Sequence, residues 1–540
     1  MHPAPDARRR QLILSTLCLA LFMSMLDNVV VSNALPSIST DLHAGMIDLQ
    51  WVMEGYSLVF ASLLLLGGTL GDRLGRRRLF LVGLTLFTGG SLVCALAGTL
   101  PILMTGRVVQ GVGAALLTPQ SLAVLRVTFL SEVERARAIG TWSGVSALGL
   151  ALGPAIGGPL VTAFGWASAF WINVPVGVAA LALGARVLPH DDGHHGRIDL
   201  LGQVIGTAGV AGAVFALIEA PSRGWSSPTV LGSATLAVVG FALFVPVELR
   251  AERPMLDVRL FRDRIFAGAA FAGFVVSFGM FGVLSYLGLY MQSVLGWSAA
   301  AAGIASLPST GVIMIAAPVA SRMAARWGAR LPLVIGLSLC ATGVAILSRV
   351  DATASYADFW WALPLIGTGM GMSFSPITIA VMGRVPAARA GMASATTNAT
   401  RELGGVAGIA IMGSLITARL ASVLPSRLAA AGVPADVARR VVDTATAGGA
   451  GGIASSRDVP HAISWSMAVS FTDGLQLALM VAAVVLVLGA VAVFVQMRPE
   501  IGRPSVPAPG PSDGLELRPR PERARSRPED ALGGRAGARH

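Results

Sequence analysis

Two charged residues stand where charge is costly. Asp27 lies in MLDNVVVSNALP, inside the first long apolar run of the chain, and Arg107 lies in LMTGRVVQGVGAA, inside the fourth. If both runs are helices that cross a bilayer, Arg107 sits about a turn and a half from the outer end of its run. Asp27 sits about sixteen residues from the inner end of its own. At about 1.5 Å of rise per residue, both fall in the outer half of the hydrocarbon at comparable depth. Ionised groups at that depth face a partner or a wet cavity. An Asp and an Arg at matched depth are natural partners, and a static structural ion pair is one form that partnership takes.

Three further constellations carry charge or backbone geometry of the same kind. The stretch GTLGDRLGRRR joins Gly68, Asp72, Arg73, Gly75, Arg76 and Arg77 at a tight turn between the second and third runs. A basic membrane anchor would explain its arginines but not an aspartate set between two glycines. In SALGLALGPAIGGP, Gly149, Gly153 and Gly157 recur every four residues and so line one helix face, where they admit close backbone contact. Gly158 follows, and Pro154 and Pro159 remove helix hydrogen bonds and permit bending. Arg401 and Glu402, in NATRELGGVAGIAIMGS, lie two to three turns inside the thirteenth run. They offer a gate, a second protonation step or a helix lock.

The remaining chemistry is mostly excluded. The chain has no lysine, so it has no GxxxxGK[ST] phosphate loop and no expected ATP hydrolysis. No metal and no cofactor are expected. His190, Asp191, Asp192, His194 and His195 form a short cluster that reads better as a solvated connection than as a chelate. Cys18, Cys94 and Cys340 fall inside apolar runs, with no CxxC pair. The net charge of +11 is spread over short connections and the C-terminal tail, which argues against nucleic-acid binding. No nucleophile–base set can be assembled, so an enzyme is not expected.

The elements that must hold these residues follow from composition. Of 540 residues, 54% are hydrophobic and 13% charged, about half the usual charged share of a soluble chain. Apolar runs near 11–32, 50–70, 79–99, 101–123, 138–160, 166–188, 199–219, 229–249, 266–290, 303–321, 331–349, 359–382, 393–417 and 474–497 predict about fourteen membrane helices. Arginines concentrate in alternate connections, which places both termini in the cytoplasm; a multi-pass protein of the plasma membrane is expected. Three glycine patterns repeat at an offset of about 250 residues: Gly75 and Gly83 with Gly328 and Gly336, Gly111 and Gly113 with Gly367 and Gly369, Gly153 and Gly157 with Gly404 and Gly408. The chain therefore divides into a cytoplasmic N-terminus (1–10), a six-helix half (11–188), two central helices (199–249) and a second half (266–497). A long external loop is expected near 418–473, and the Pro- and Arg-rich tail 498–540 is expected to be disordered and to touch anionic lipid.

GTLGDRLGRRR resembles the signature loop between helices two and three of the major facilitator superfamily. The stretches around Asp27 and Arg107, and GxxxGPxxGG in the fifth run, resemble motifs of its fourteen-helix drug:proton antiporters. GWASAFWINVPVG is similar to the start of that family's sixth helix, although Ala167 and Ser168 replace its usual central residues. The resemblance covers about residues 10–497. It implies an all-α fold of two rocking halves, a latch at Asp72, proton transfer at Asp27 tuned by Arg107, and antiport. The substrate it implies is a small lipophilic drug or antibiotic exchanged for protons. Span ten lacks the extra carboxylate that serves dicationic drugs in some members of that family, so the resemblance does not extend to that substrate class. A carrier of an endogenous metabolite or lipid, or a membrane sensor that moves nothing, are the competing readings.

Overall fold

In a computed structural model, residues 6–44, 46–190, 200–251, 256, 258–386, 389–447 and 460–497 are described. Among them there is no strand. The reason is the solvent: in hydrocarbon, backbone N–H and C=O groups must be satisfied within the segment, and an apolar run does so as a helix. Eighteen helices result. They are α1 (Ala7–Asp41), α2 (Met46–Leu74), α3 (Arg76–Ala95), α4 (Leu100–Thr128), α5 (Glu132–Phe164), α6 (Ser168–Trp171), α7 (Asn173–Val187), α8 (Leu200–Arg223) and α9 (Pro228–Arg250). After a 3-10 turn at Val258–Arg262 come α10 (Arg264–Ser293), α11 (Ala299–Ala305), α12 (Leu307–Trp327), α13 (Arg330–Leu347), α14 (Tyr356–Phe359), α15 (Ala362–Gly383), α16 (Ala390–Ala430), α17 (Ala435–Ala447) and α18 (His461–Gln496).

These cover all fourteen expected spans, three of them as helices broken near one end (α6 with α7, α11 with α12, α14 with α15). Twelve are long and apolar enough to cross a bilayer, and α2 is a thirteenth if its 50° bend is taken as one span. The fifth, α5, holds the position of the remaining span and packs along α1. Local caps set several starts. Asp6 accepts the Arg9 amide at 2.9 Å at the head of α1, and Asp263 accepts those of Ile265 and Phe266 at 2.8 and 3.0 Å at the head of α10.

The internal repeat is visible as repeated packing. As α1 lies on α5, α2 on α4 and α3 on α4, so α10 lies on α16, α12 on α15 and α13 on α15. The echoed glycines sit at matching crossings. A Cβ on Gly113 would come within 2.4 Å of the Phe87 amide nitrogen, and one on Gly369 within 2.4 Å of the Gly336 carbonyl oxygen. Across the halves, α2 meets α16 and α5 meets α12, again as a related pair. The central helices α8 and α9 pack on each other, and α8 also rests on α2 and α16. Trp225 in their connection donates its indole N–H to Ser414 Oγ of α16 at 3.0 Å.

The stretch 418–473 departs from expectation. Instead of one long loop, α16 runs 41 residues and α18 runs 36, so the first span of this pair is about 60 Å long, twice the hydrocarbon thickness. Leu420, Leu424 and Leu428, spaced four apart, are buried, and Val437, Val441 and Ala445 of α17 pack against the same core. Arg427 meets Asp473 at 2.8 Å, joining the two extensions. Arg419, Arg427 and the small and polar residues among the leucines lower the average hydropathy of this stretch and conceal its one-sided apolar stripe. Truncating Leu428 to Ala is expected to cost about 2–5 kcal/mol, read as a lower melting temperature of the purified protein; a solvated loop would tolerate the change. The tail 498–540 lies outside the described residues.

Candidate functional site

Asp27 and Arg107 are in contact. Both are essentially unexposed, and Arg107 Nη1 donates to Asp27 Oδ2 at 2.6 Å. The matched depths read from the sequence therefore meet in space. The carboxylate is satisfied by three side chains from two helices: Oδ1 also accepts Asn173 Nδ2 of α7 at 2.7 Å and Gln110 Nε2 of α4 at 3.1 Å. Gln110 bridges further, accepting Arg107 Nη1 at 2.9 Å and donating to Ser91 Oγ of α3 at 2.8 Å. Arg107 Nε donates to the Val52 carbonyl of α2 at 2.9 Å, and its guanidinium lies 4.6 Å from the centre of the Tyr56 ring. The arrangement needs α3 and α4 close together. Gly106 permits this, since a Cβ there would stand 2.5 Å from Cys94 Sγ.

Such a charge cluster is held by hydrogen bonds as much as by Coulomb attraction. Two buried polar atoms in it have no partner: Arg107 Nη2 and Asn173 Oδ1. Gln110, Asn173, Ser91 and Tyr56 escaped the sequence reading because neutral polar residues are common in packed membrane helices. The available signal was their position: Gln110 is one turn from Arg107, and Asn173 opens the NVP stretch.

A second cluster lies at the turn between α2 and α3. Asp72 Oδ1 accepts Arg76 Nη2 at 3.0 Å and Nε at 3.2 Å. Its Oδ2 reaches the other half and accepts the Met392 amide, in the first turn of α16, at 3.0 Å. A carboxylate there satisfies an orphan N–H and lies at the positive end of the helix dipole. Arg126 of α4 makes the converse contact, donating to the carbonyls of Met382 and Val385 at the C-terminal end of α15. Gly75 has φ 101°, a backbone that favours glycine, and it lets α3 start one residue after α2 ends. Gly68 is buried and Arg73 half-buried, and Arg77 reaches the His190 ring and the Ala185 carbonyl beside α7.

The α5 glycines seat that helix on α1. A Cβ on Gly149 would come within 2.8 Å of the Phe22 carbonyl oxygen, and one on Gly157 within 2.9 Å of Val30 Cγ1. Gly153 is buried, Gly158 half-buried, and α5 continues through Pro154 and Pro159 without a break. The face that carries Gly149 and Gly157 is thus the one against the helix that bears Asp27. Arg401 and Glu402 are not joined by any ion pair among the described residues. Arg401 lies 4.2 Å above the Phe374 ring with its Nε unpartnered. Asp191, Asp192, His194 and His195 lie outside the described residues. Elsewhere among those residues no three His, Cys, Asp or Glu side chains gather as a metal site.

Two repeated helical halves thus hold an ion pair buried in one of them and charge–dipole contacts that bridge both. The chain belongs to the Major Facilitator Superfamily, whose sequence profile matches residues 17–409. It is 37% identical over 487 residues to the multidrug resistance protein Stp of Mycobacterium tuberculosis, covering 89% of this chain and 90% of that one. It is 35% identical to the tetracenomycin C resistance and export protein of Streptomyces glaucescens, with the same two shares. Its fold is similar to that of the proton:xylose symporter XylE, with a TM-score of 0.60 at 14% identity over 92% of this chain and 97% of that one.

Proposed function

We propose that this protein exports small lipophilic drugs or antibiotics across the plasma membrane in exchange for protons, with both termini in the cytoplasm. The observation that carries the proton part is the fully buried carboxylate of Asp27, set against Arg107 and two neutral amides. The substrate class is supported by relatives across most of the chain that are named for drug and antibiotic resistance.

In this reading a drug enters from the cytoplasm or the inner leaflet while the Asp72–Met392 and Arg126–α15 contacts are open. Their closure, the arrangement described above, seals the cytoplasmic side. A proton from outside then neutralises Asp27 and removes its ion pair with Arg107, which favours drug release and return. Each proton moving inward through 100 mV supplies about 2.3 kcal/mol, enough for a gradient of about fifty-fold of a neutral drug. Replacing Asp72 with Asn removes the negative charge at the head of α16. It is expected to slow turnover about tenfold with little change in drug affinity, read by comparing transport rate with equilibrium binding.

The test is proton efflux from energised inside-out vesicles, triggered by a panel of neutral antibiotics and lipophilic cations. A drug-triggered proton signal supports the proposal. Silence across the panel, with protein present at normal levels, would move a dedicated metabolite carrier or a non-transporting sensor ahead.

A further inference from the structure

The two central helices have no counterpart in the repeated halves, and neither the ion pair nor the latch uses them. Between them and α16 lies a cavity of about 470 Å³. Its walls are apolar, including Val210 of α8 and Phe244 and Leu249 of α9, and Thr400 contributes from α16. At one end stand Arg259 and Arg262, in the connection between α9 and α10. That connection is drawn against the cavity by Glu248, which is buried and accepts the Leu256 amide at 3.3 Å.

We propose that this cavity is a binding site for one anionic phospholipid, with its headgroup phosphate at Arg259 and Arg262 and an acyl chain along α8 and α9. Two observations select a lipid rather than a water-soluble anion. Phe241, Val245 and Leu249 are lining residues that are also well exposed on a membrane-spanning helix, so the cavity opens sideways to hydrocarbon. The arginines lie between the end of α9 at Arg250 and the start of α10 at Arg264, where the chain leaves the apolar layer and headgroups lie. A basic rim over an apolar slot matches an amphiphile with one anionic end. The occupant also touches the helix that the latch grips: Thr396 and Thr400 line the cavity one and two turns beyond Met392, whose amide Asp72 holds. This site does not depend on the drug-export reading.

The experiment is lipid retention by the purified full-length protein, measured by native mass spectrometry after exchange into equal amounts of phosphatidylglycerol and phosphatidylcholine with identical chains. The wild type is expected to keep one phosphatidylglycerol with a preference of about thirty-fold. The Arg259→Gln/Arg262→Gln variant should lose the preference, and Val245→Trp, at the exposed rim, should lose retention of both lipids. Equal retention of the two lipids by the wild type would overturn the proposal, as would a preference unchanged in the double variant. Displacement of the lipid by glycerol phosphate alone would also overturn it, since the acyl slot would then contribute nothing.

Discussion

Asp27→Asn is expected to abolish drug-triggered proton movement, with a loss of at least about a hundredfold, while leaving the protein folded. Asparagine is nearly isosteric and keeps an oxygen to accept from Arg107, Gln110 or Asn173, all of which bond the aspartate. What it cannot do is gain and lose a proton. The expected signature is therefore split: drug binding persists, and drug flux no longer responds to an imposed pH gradient. Parallel loss of binding and of folded protein would instead assign Asp27 a structural role. Removal of a positioned proton-transfer group ordinarily costs two to four orders of magnitude, so the effect lies well above assay noise (about 10²–10⁴-fold).

Arg107→Leu should have the largest effect on stability. It strands the Asp27 carboxylate where neither residue is exposed, with the amides of Gln110 and Asn173 as its remaining partners. Breaking a buried pair by removing one partner costs about 3–5 kcal/mol, whereas replacing both partners is often far cheaper. The thermal stability lost in Arg107→Leu should therefore be largely recovered in the Asp27→Asn/Arg107→Leu double variant, although proton coupling should not return. Equal melting temperatures for the single variant and the wild type would show that the pair contributes little to holding α1 and α4 together.

Much of this architecture is legible in the sequence because the bilayer imposes it. Span length, arginine alternation and glycine spacing report hydrocarbon thickness, charge and close packing directly, and each of the fourteen expected runs falls on a helix, twelve or thirteen of them long and apolar enough to cross a bilayer. The Asp27–Arg107 contact was legible for the same reason, since two charges at equal depth in hydrocarbon have few other options. The partners of Asp72 were hidden. One is the Met392 backbone amide, and every residue but proline carries such an amide. Arg126 was equally opaque, because an arginine at a membrane boundary reads as an anchor whether or not it caps α15. The extended ends of α16 and α18 were missed where Ser, Ala and a few charged residues lower the mean hydropathy to that of a loop. Arg401 and Glu402 are neighbours in sequence, but adjacent residues on a helix point about 100° apart, and the Arg401 guanidinium lies over the Phe374 ring rather than in an ion pair with Glu402.

The most direct measurement is proton release on drug binding by the purified protein in weakly buffered detergent solution, repeated over a series of pH values. If the drug and the proton compete through Asp27, binding should release up to one proton per wild-type molecule, and none from Asp27→Asn at equal occupancy. Release of the same number of protons by both proteins would place the coupling site elsewhere. Saturating drug binding without any release from the wild type would contradict proton exchange as the energy source.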